Sequence, residues 1–164
     1  MKILIAGVGN VLRGDDGFGI RVAQKMQQRT VTEGVHVSEV GISGIALVHE
    51  LMNGYDACIV ADAVQRGGKA GTLYLLEPQP PQLSDEDAEE LHRSMVDMHY
   101  AEPSKALLLA SALKVRPKSV FIVACEPAEI ENLSDQLTPA VERAVKEAIK
   151  MIDNLIIKLQ AAAD

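Results

Sequence analysis

Three aspartates and one histidine have the types and positions that could carry chemistry. Asp15 and Asp16 stand together in the glycine-rich stretch 7–19, Asp62 follows the most apolar short run of the chain, and His99 precedes a helical pattern. Two carboxylates with one imidazole suit a divalent transition-metal ion and leave coordination positions open. Asp16, Asp62 and His99 are therefore candidate metal ligands, although spacing alone does not bring His99 to the two acids.

The glycine-rich stretch has two other interpretations. Gly7-x-Gly9 matches the start of a dinucleotide-binding fingerprint, but Leu12 stands where the third glycine is required. Carboxylates beside a pyrophosphate would also repel it. In the second interpretation the glycines only form a turn, and Asp15 or Asp16 caps the helix that follows.

Nucleophilic catalysis has weaker support in the sequence. A triad of Ser43, His99 and Asp62 is conceivable, but Ser43 lies in Gly-Ile-Ser-Gly rather than in a Gly-x-Ser-x-Gly nucleophile elbow. Cys125 would need a neighbouring base and a lowered pKa, which the sequence does not indicate. Cys58 and Cys125 each lie inside an apolar run, which favours reduced thiols buried in the core.

Apolar runs and helical periodicity alternate along the sequence. This alternation predicts an α/β fold with three layers: a mostly parallel, twisted sheet of about five strands with helices on both faces. Residues 1–164 should form a single domain. The expected strands cover residues 3–6, 35–40, 57–61, 72–76 and 119–124, the fourth being antiparallel at a sheet edge. The expected helices cover about 16–29, 45–52, 103–113 and 138–159, the last with Thr138 as N-cap.

Composition narrows the function classes. The 164 residues are 48% hydrophobic and only 3% aromatic, and the net charge is −7. An acidic chain without a basic stripe is a poor nucleic-acid binder. The sequence shows neither a signal segment at its start nor an apolar run long enough to cross a bilayer. We therefore expect a cytoplasmic protein without membrane insertion, and, from its modest size, a monomer.

Several of these motifs together resemble a known family, the hydrogenase maturation endopeptidases. The resemblance begins in the stretch 7–19, with Gly-Val-Gly-Asn-Val-Leu followed by Gly-Asp-Asp-Gly-x-Gly. It continues through the Gly-x-Ser-Gly turn at 41–44, the Val-Ala-Asp-Ala strand end at 60–63 and the later His99. Glu126-Pro127 and the Leu-Thr-Pro before the last helix complete it.

The resemblance implies an activity, a partner and a metal. Members of this family remove a C-terminal extension from the large-subunit precursor of a nickel-iron hydrogenase after nickel insertion, and the nickel held by the precursor is the recognition signal. The family's metal-contacting residues correspond to Asp16, Asp62 and His99, with His92 as the alternative histidine. A protein of similar fold that binds the same precursor as a nickel-sensing chaperone, without cutting it, is the competing hypothesis.

Two positions depart from the family pattern. Many relatives have glutamate where this chain has Asp16, which keeps the charge but shortens the reach. Many also have Asp-Gly before the second glycine-rich turn, where this chain has Glu39-Val40 before Gly41. Glu39 is the acid that could substitute there.

Overall fold

Five strands form one sheet in a computed structural model that describes residues 1–30, 32–79 and 103–163. The sheet order is β2-β1-β3-β5-β4; the first four strands are mutually parallel, and β4 runs antiparallel to β5 at the edge. The mostly parallel sheet and its antiparallel edge strand confirm the predicted topology. The strands are β1 (Ile3–Val8), β2 (Val35–Gly41), β3 (Ala57–Ala63), β4 (Leu73–Leu76) and β5 (Ser119–Cys125).

Helices cover both faces of this sheet and complete the three layers. They are α1 (Phe18–Gln27), α2 (Gly44–Leu51), α3 (Pro103–Ala112) and α4 (Pro139–Ala161). One core cluster joins α1 and α4 to the sheet, and a second joins α2 and α3 to the opposite face. This arrangement confirms the expected α/β class.

Strand β3 shows how alternation divides the core. Ile59 and Ala61 belong to the cluster of α1 and α4, whereas Cys58 and Val60 belong to the cluster of α2 and α3. Successive side chains of a strand point to opposite faces. Asp62, two residues after Val60, therefore lies on the α2 and α3 side of the sheet.

The start of α1 differs from the prediction. The chain forms a short 3-10 turn over Gly14–Gly17, and the α-helix begins at Phe18 rather than near Asp16. Neither aspartate caps α1, because the N-cap residue is Gly17. The side chain of Asp16 accepts the N–H of Asn10 in the same loop, and that of Asp15 accepts the N–H of Ala128. The capping interpretation is therefore wrong.

The last helix also begins with an unexpected contact. Thr138 is the N-cap residue of α4, as predicted, but its side chain makes no capping bond. Its hydroxyl instead donates to Asp15 Oδ2 at 2.9 Å. The hydroxyl of Thr138 therefore makes a long-range hydrogen bond to Asp15 and no local capping bond.

Within the described ranges, none of the helices has both the length and the hydropathy that a membrane span requires. Residues 85–90, which include five carboxylates, lie outside the described residues.

Candidate active site

The sheet topology creates a crevice beyond the carboxyl ends of β1 and β3. From β1 the chain passes through α1 to β2 on one side, and it then returns through α2 to β3 on the other side of β1. In open α/β sheets, ligands bind where successive connections diverge in this way. The loop after β1 and the end of β3 are therefore the expected places for functional side chains.

Glycines allow the loop after β1 to fold against its neighbours. Gly9 has φ +127°, and a Cβ there would lie 1.8 Å from the backbone oxygen of Asp16. A Cβ on Gly19 would lie 2.0 Å from the backbone oxygen of Ala61. Larger residues would push the loop and the start of α1 away from β3, so these glycines hold Asp16 close to the end of that strand.

Asp16 and Asp62 line the same cleft. This cleft has a volume of about 420 Å³ and is otherwise largely apolar, with Leu76, Pro103 and Ile122 among its walls. Asp62 is 7% exposed, and Asp16 is partly buried. The structure thus brings together the two acids that the sequence indicated.

The environment of Asp62 disfavours its charged form. Burial and, to a smaller extent, the negative charge of Asp16 together raise the pKa of Asp62 to about 7, while the backbone N–H of Ala63 partly opposes the shift. Asp16 accepts a hydrogen bond from the backbone N–H of Asn10 at 2.9 Å. Two close carboxylates in a poorly solvated cleft favour a proton or a cation between them.

The pair fits a divalent cation in its chemistry. Carboxylate oxygens are metal ligands, and a positive ion would offset both the burial of Asp62 and its repulsion from Asp16. In the part of the chain that the structure describes, no group of three or more His, Cys, Asp or Glu could hold a metal. His99 and its alternative His92 lie outside the described residues, so their place as third ligand stays a prediction.

Asp15 is a buried anchor whose role the sequence did not reveal. It is 0% exposed. Its carboxylate accepts the backbone N–H groups of Ala128 at 2.8 Å, Glu129 at 3.1 Å and Thr138 at 2.7 Å, in addition to the Thr138 hydroxyl. Asp15 therefore ties the loop that carries Asp16 to the loop between β5 and α4.

Glu126 is a second anchor at this edge. It is 4% exposed and accepts the backbone N–H groups of Arg66 and Gly67 and the hydroxyl of Tyr74. Burial alone would raise the pKa of Glu126, but these bonds and one from Gly68 outweigh it, so the pKa lies below its usual range. The carboxylate fixes the turn that follows Asp62. Glu126 was noticed in the sequence only as part of the resemblance.

The alternative nucleophiles are a serine that caps a helix and two cysteines that are buried. Ser43 is the N-cap of α2, where its hydroxyl oxygen accepts the N–H of Ala46 at 3.4 Å. Burial raises the pKa of the Cys58 and Cys125 thiols to about 12. Both cysteines are buried and free, as the sequence predicted. Glu39 is exposed and its carboxylate accepts from Gln24 on α1, at a distance of 2.9 Å.

An open α/β sheet with a pair of carboxylates in a cleft at its switch point defines the general class: an α/β protein with its ligand site at the carboxyl ends of the strands. The particular family follows from comparison. The family model described as "Hydrogenase maturation protease" matches residues 20–155. The chain therefore belongs to the hydrogenase maturation proteases, a family of peptidases.

Individual relatives agree with this assignment. The chain is 30% identical over 151 residues to the hydrogenase expression/formation protein HupD of Thiocapsa roseopersicina, covering 92% of this chain and 65% of that protein. It is 28% identical over 154 residues to the hydrogenase 2 maturation protease of Escherichia coli K12, covering 93% and 88%. The structure of the Escherichia coli endopeptidase HybD has a TM-score of 0.70 and 25% identity, covering 96% of this chain and 93% of that one.

Proposed function

We propose that this chain is an endopeptidase that removes the C-terminal extension from the large-subunit precursor of a nickel-iron hydrogenase after nickel insertion. The observation that carries the proposal is the convergence of Asp16 and Asp62 in one cleft. They lie at the switch point of a fold that belongs to the maturation proteases. A cleft of about 420 Å³ also gives room for a segment of extended peptide.

Nickel enters this proposal with the substrate and is held by the precursor. Asp16 and Asp62 contact the ion, with His99 as the third protein ligand and His92 as its alternative. Two carboxylates and one imidazole leave positions for ligands from the precursor, unlike a closed structural site with four protein ligands. The unbalanced negative charge around Asp62 supports this assignment, because a docked cation would neutralise it.

The hydrolysis proceeds by attack of water on the scissile carbonyl. The hydroxyl of water joins the carbonyl carbon, the C–N bond breaks, and the leaving nitrogen receives a proton. A bound divalent ion can polarise such a carbonyl or lower the pKa of a water molecule. An acyl intermediate on serine or cysteine has no support here, because Ser43 caps a helix and both thiols are buried.

A processing assay tests the proposal. The purified protein is incubated with nickel-loaded and, as a matched control, nickel-free precursor of the cognate large subunit, and intact masses are measured over time. We expect loss of one C-terminal peptide from the nickel-loaded precursor alone. If a cognate, nickel-loaded precursor forms a complex but keeps its full length, the protein is instead a nickel-sensing chaperone.

A further inference from the structure

Large apolar side chains are exposed around the mouth of the site. They belong to three segments: the loop after β1, the turn and first residues of α2 after β2, and the loop before α4. Leu133 is 87% exposed and Leu12 is 59% exposed. We name the whole set the apolar rim, and it consists of Val11, Leu12, Ile42, Ile45 and Leu133.

Backbone hydrogen bonds join the three segments of the apolar rim. Gly9 N–H donates to the carbonyl of Gly41 at 3.0 Å, which links the first segment to the second. Ser134 N–H donates to the carbonyl of Leu12 at 3.0 Å, and Gly14 N–H donates to the carbonyl of Ser134 at 2.8 Å. The exposed side chains therefore lie on adjoining backbone rather than being scattered.

The apolar rim is continuous with the cleft. Val11 and Leu12 stand on the loop whose Asn10 N–H binds the Asp16 carboxylate. On the other side, Ile130 lines the cleft and belongs to the same connection between β5 and α4 as Leu133. A macromolecule that delivers a peptide to Asp16 and Asp62 must approach across this surface.

We propose that the apolar rim is the docking surface for the folded body of the precursor, which rests on the function proposed above. Its partner is the apolar protein surface around the point where the precursor's C-terminal extension leaves the fold. Clustered apolar exposure of this kind marks protein–protein contact, whereas isolated apolar residues do not. A second copy of this chain is the less favourable occupant, because it would cover the approach to the cleft.

The opposite edge of the sheet supplies a matched control. Met52, Leu113 and Ile157 are 62%, 51% and 64% exposed, and they stand at or near the ends of α2, α3 and α4, away from the cleft. We compare the triple variant Leu12→Ser, Ile42→Ser and Leu133→Ser with the control triple variant Met52→Ser, Leu113→Ser and Ile157→Ser. Melting temperatures verify that both are folded.

The readouts are the kcat and KM of processing and the Kd for nickel-loaded precursor. We expect the rim triple variant to raise KM and Kd at least about tenfold with little change in kcat, because it removes binding that is equally strong in the ground state and in the transition state. We expect the control triple variant to match the wild type in all three quantities. Unchanged KM and Kd, an equal effect of the control triple, or a wild-type dimer that the rim triple dissociates would overturn the proposal. If wild type binds but does not cut, the proposed function fails, and the Kd comparison still decides the docking surface.

Discussion

Among the residues that the structure describes, Asp15 and Glu126 are buried carboxylates surrounded by hydrogen-bond donors, whereas the neighbouring Asp16 and Asp62 have few donors. Asp15 accepts four bonds and Glu126 accepts bonds from two backbone N–H groups and one hydroxyl, together with one from Gly68. Within the described residues, Asp16 accepts one bond from Asn10, and Asp62 is supported by the N–H of Ala63. All four acids belong to the same edge of the sheet.

This difference in hydrogen bonding distinguishes the carboxylates that stabilise the fold from the pair that we propose as the active site. A buried carboxylate whose oxygens accept hydrogen bonds stabilises the fold, because the donors already compensate its charge. A buried carboxylate with few donors destabilises the fold and is free to bind something else, which is the usual trade between stability and activity. The anchors hold the two loops in place, and the cleft pair faces the space between them.

The largest expected effect is on processing. Asp16→Asn and Asp62→Asn should each slow cleavage of nickel-loaded precursor by about 1,000-fold or more, the range expected for loss of a group that acts at the reacting centre. The rate of release of the C-terminal peptide measures it. Cleavage near the wild-type rate by both variants would place the chemistry elsewhere.

The next largest effect is on the free energy of unfolding. Here Asp62→Asn is expected to bring a gain, in contrast to the loss that it causes in processing. The pKa of Asp62 is about 7 in the folded state and 3.8 as its ordinary value. Between pH 4 and 7 the folded state therefore binds a proton that the unfolded state lacks, and stability falls as pH rises through this window. The amide of Asp62→Asn does not titrate, so this variant does not lose stability in the same way. Without metal and above pH 7, its free energy of unfolding should exceed that of the wild type by up to about 4 kcal/mol.

Urea unfolding of both proteins at a series of pH values measures this difference. It should be near zero at pH 4, grow towards pH 7 and then stay constant. A difference that does not change with pH would mean that Asp62 is not held in an unfavourable charged state.

Loss of an anchor should destabilise the fold. Asp15→Ala leaves three backbone N–H groups and the hydroxyl of Thr138 without their acceptor, so we expect a loss of about 3 kcal/mol in the free energy of unfolding. Glu39→Ala is the control, since this exposed carboxylate accepts its hydrogen bond from Gln24 at the surface. Equal stability of the two variants would refute the anchoring role of Asp15.

The smallest effect is expected at the second anchor. Glu126→Gln keeps the shape and one acceptor oxygen, so its melting temperature should fall less than that of Asp15→Ala. The lowered pKa of Glu126 means that its contribution is present above the ordinary pKa and is lost as pH falls through the folded value. The melting difference from wild type should therefore shrink at strongly acidic pH, and a difference that grows there would contradict the assignment.

Local patterns were sufficient to predict the fold and the cleft pair. Apolar runs and helical periodicity predicted the parallel strands and their helices, and Asp16 and Asp62 each follow one of these predicted strands in the sequence. The anchoring role of Asp15 could not be predicted, because the donors to its carboxylate come from residues 113 to 123 positions away. The same holds for Glu126, whose donors lie about 60 positions away.

The most direct test compares one member of each carboxylate pair in a single experiment. Asp62→Asn and Glu126→Gln are incubated in parallel with nickel-loaded precursor at a temperature where both are folded, and the intact mass of the precursor is followed. Because both substitutions replace a buried carboxylate with its amide, they differ mainly in the environment of the group. We expect Asp62→Asn to leave the extension in place and Glu126→Gln to remove it. Removal by Asp62→Asn at the wild-type rate would contradict the assignment of the cleft pair as the active site.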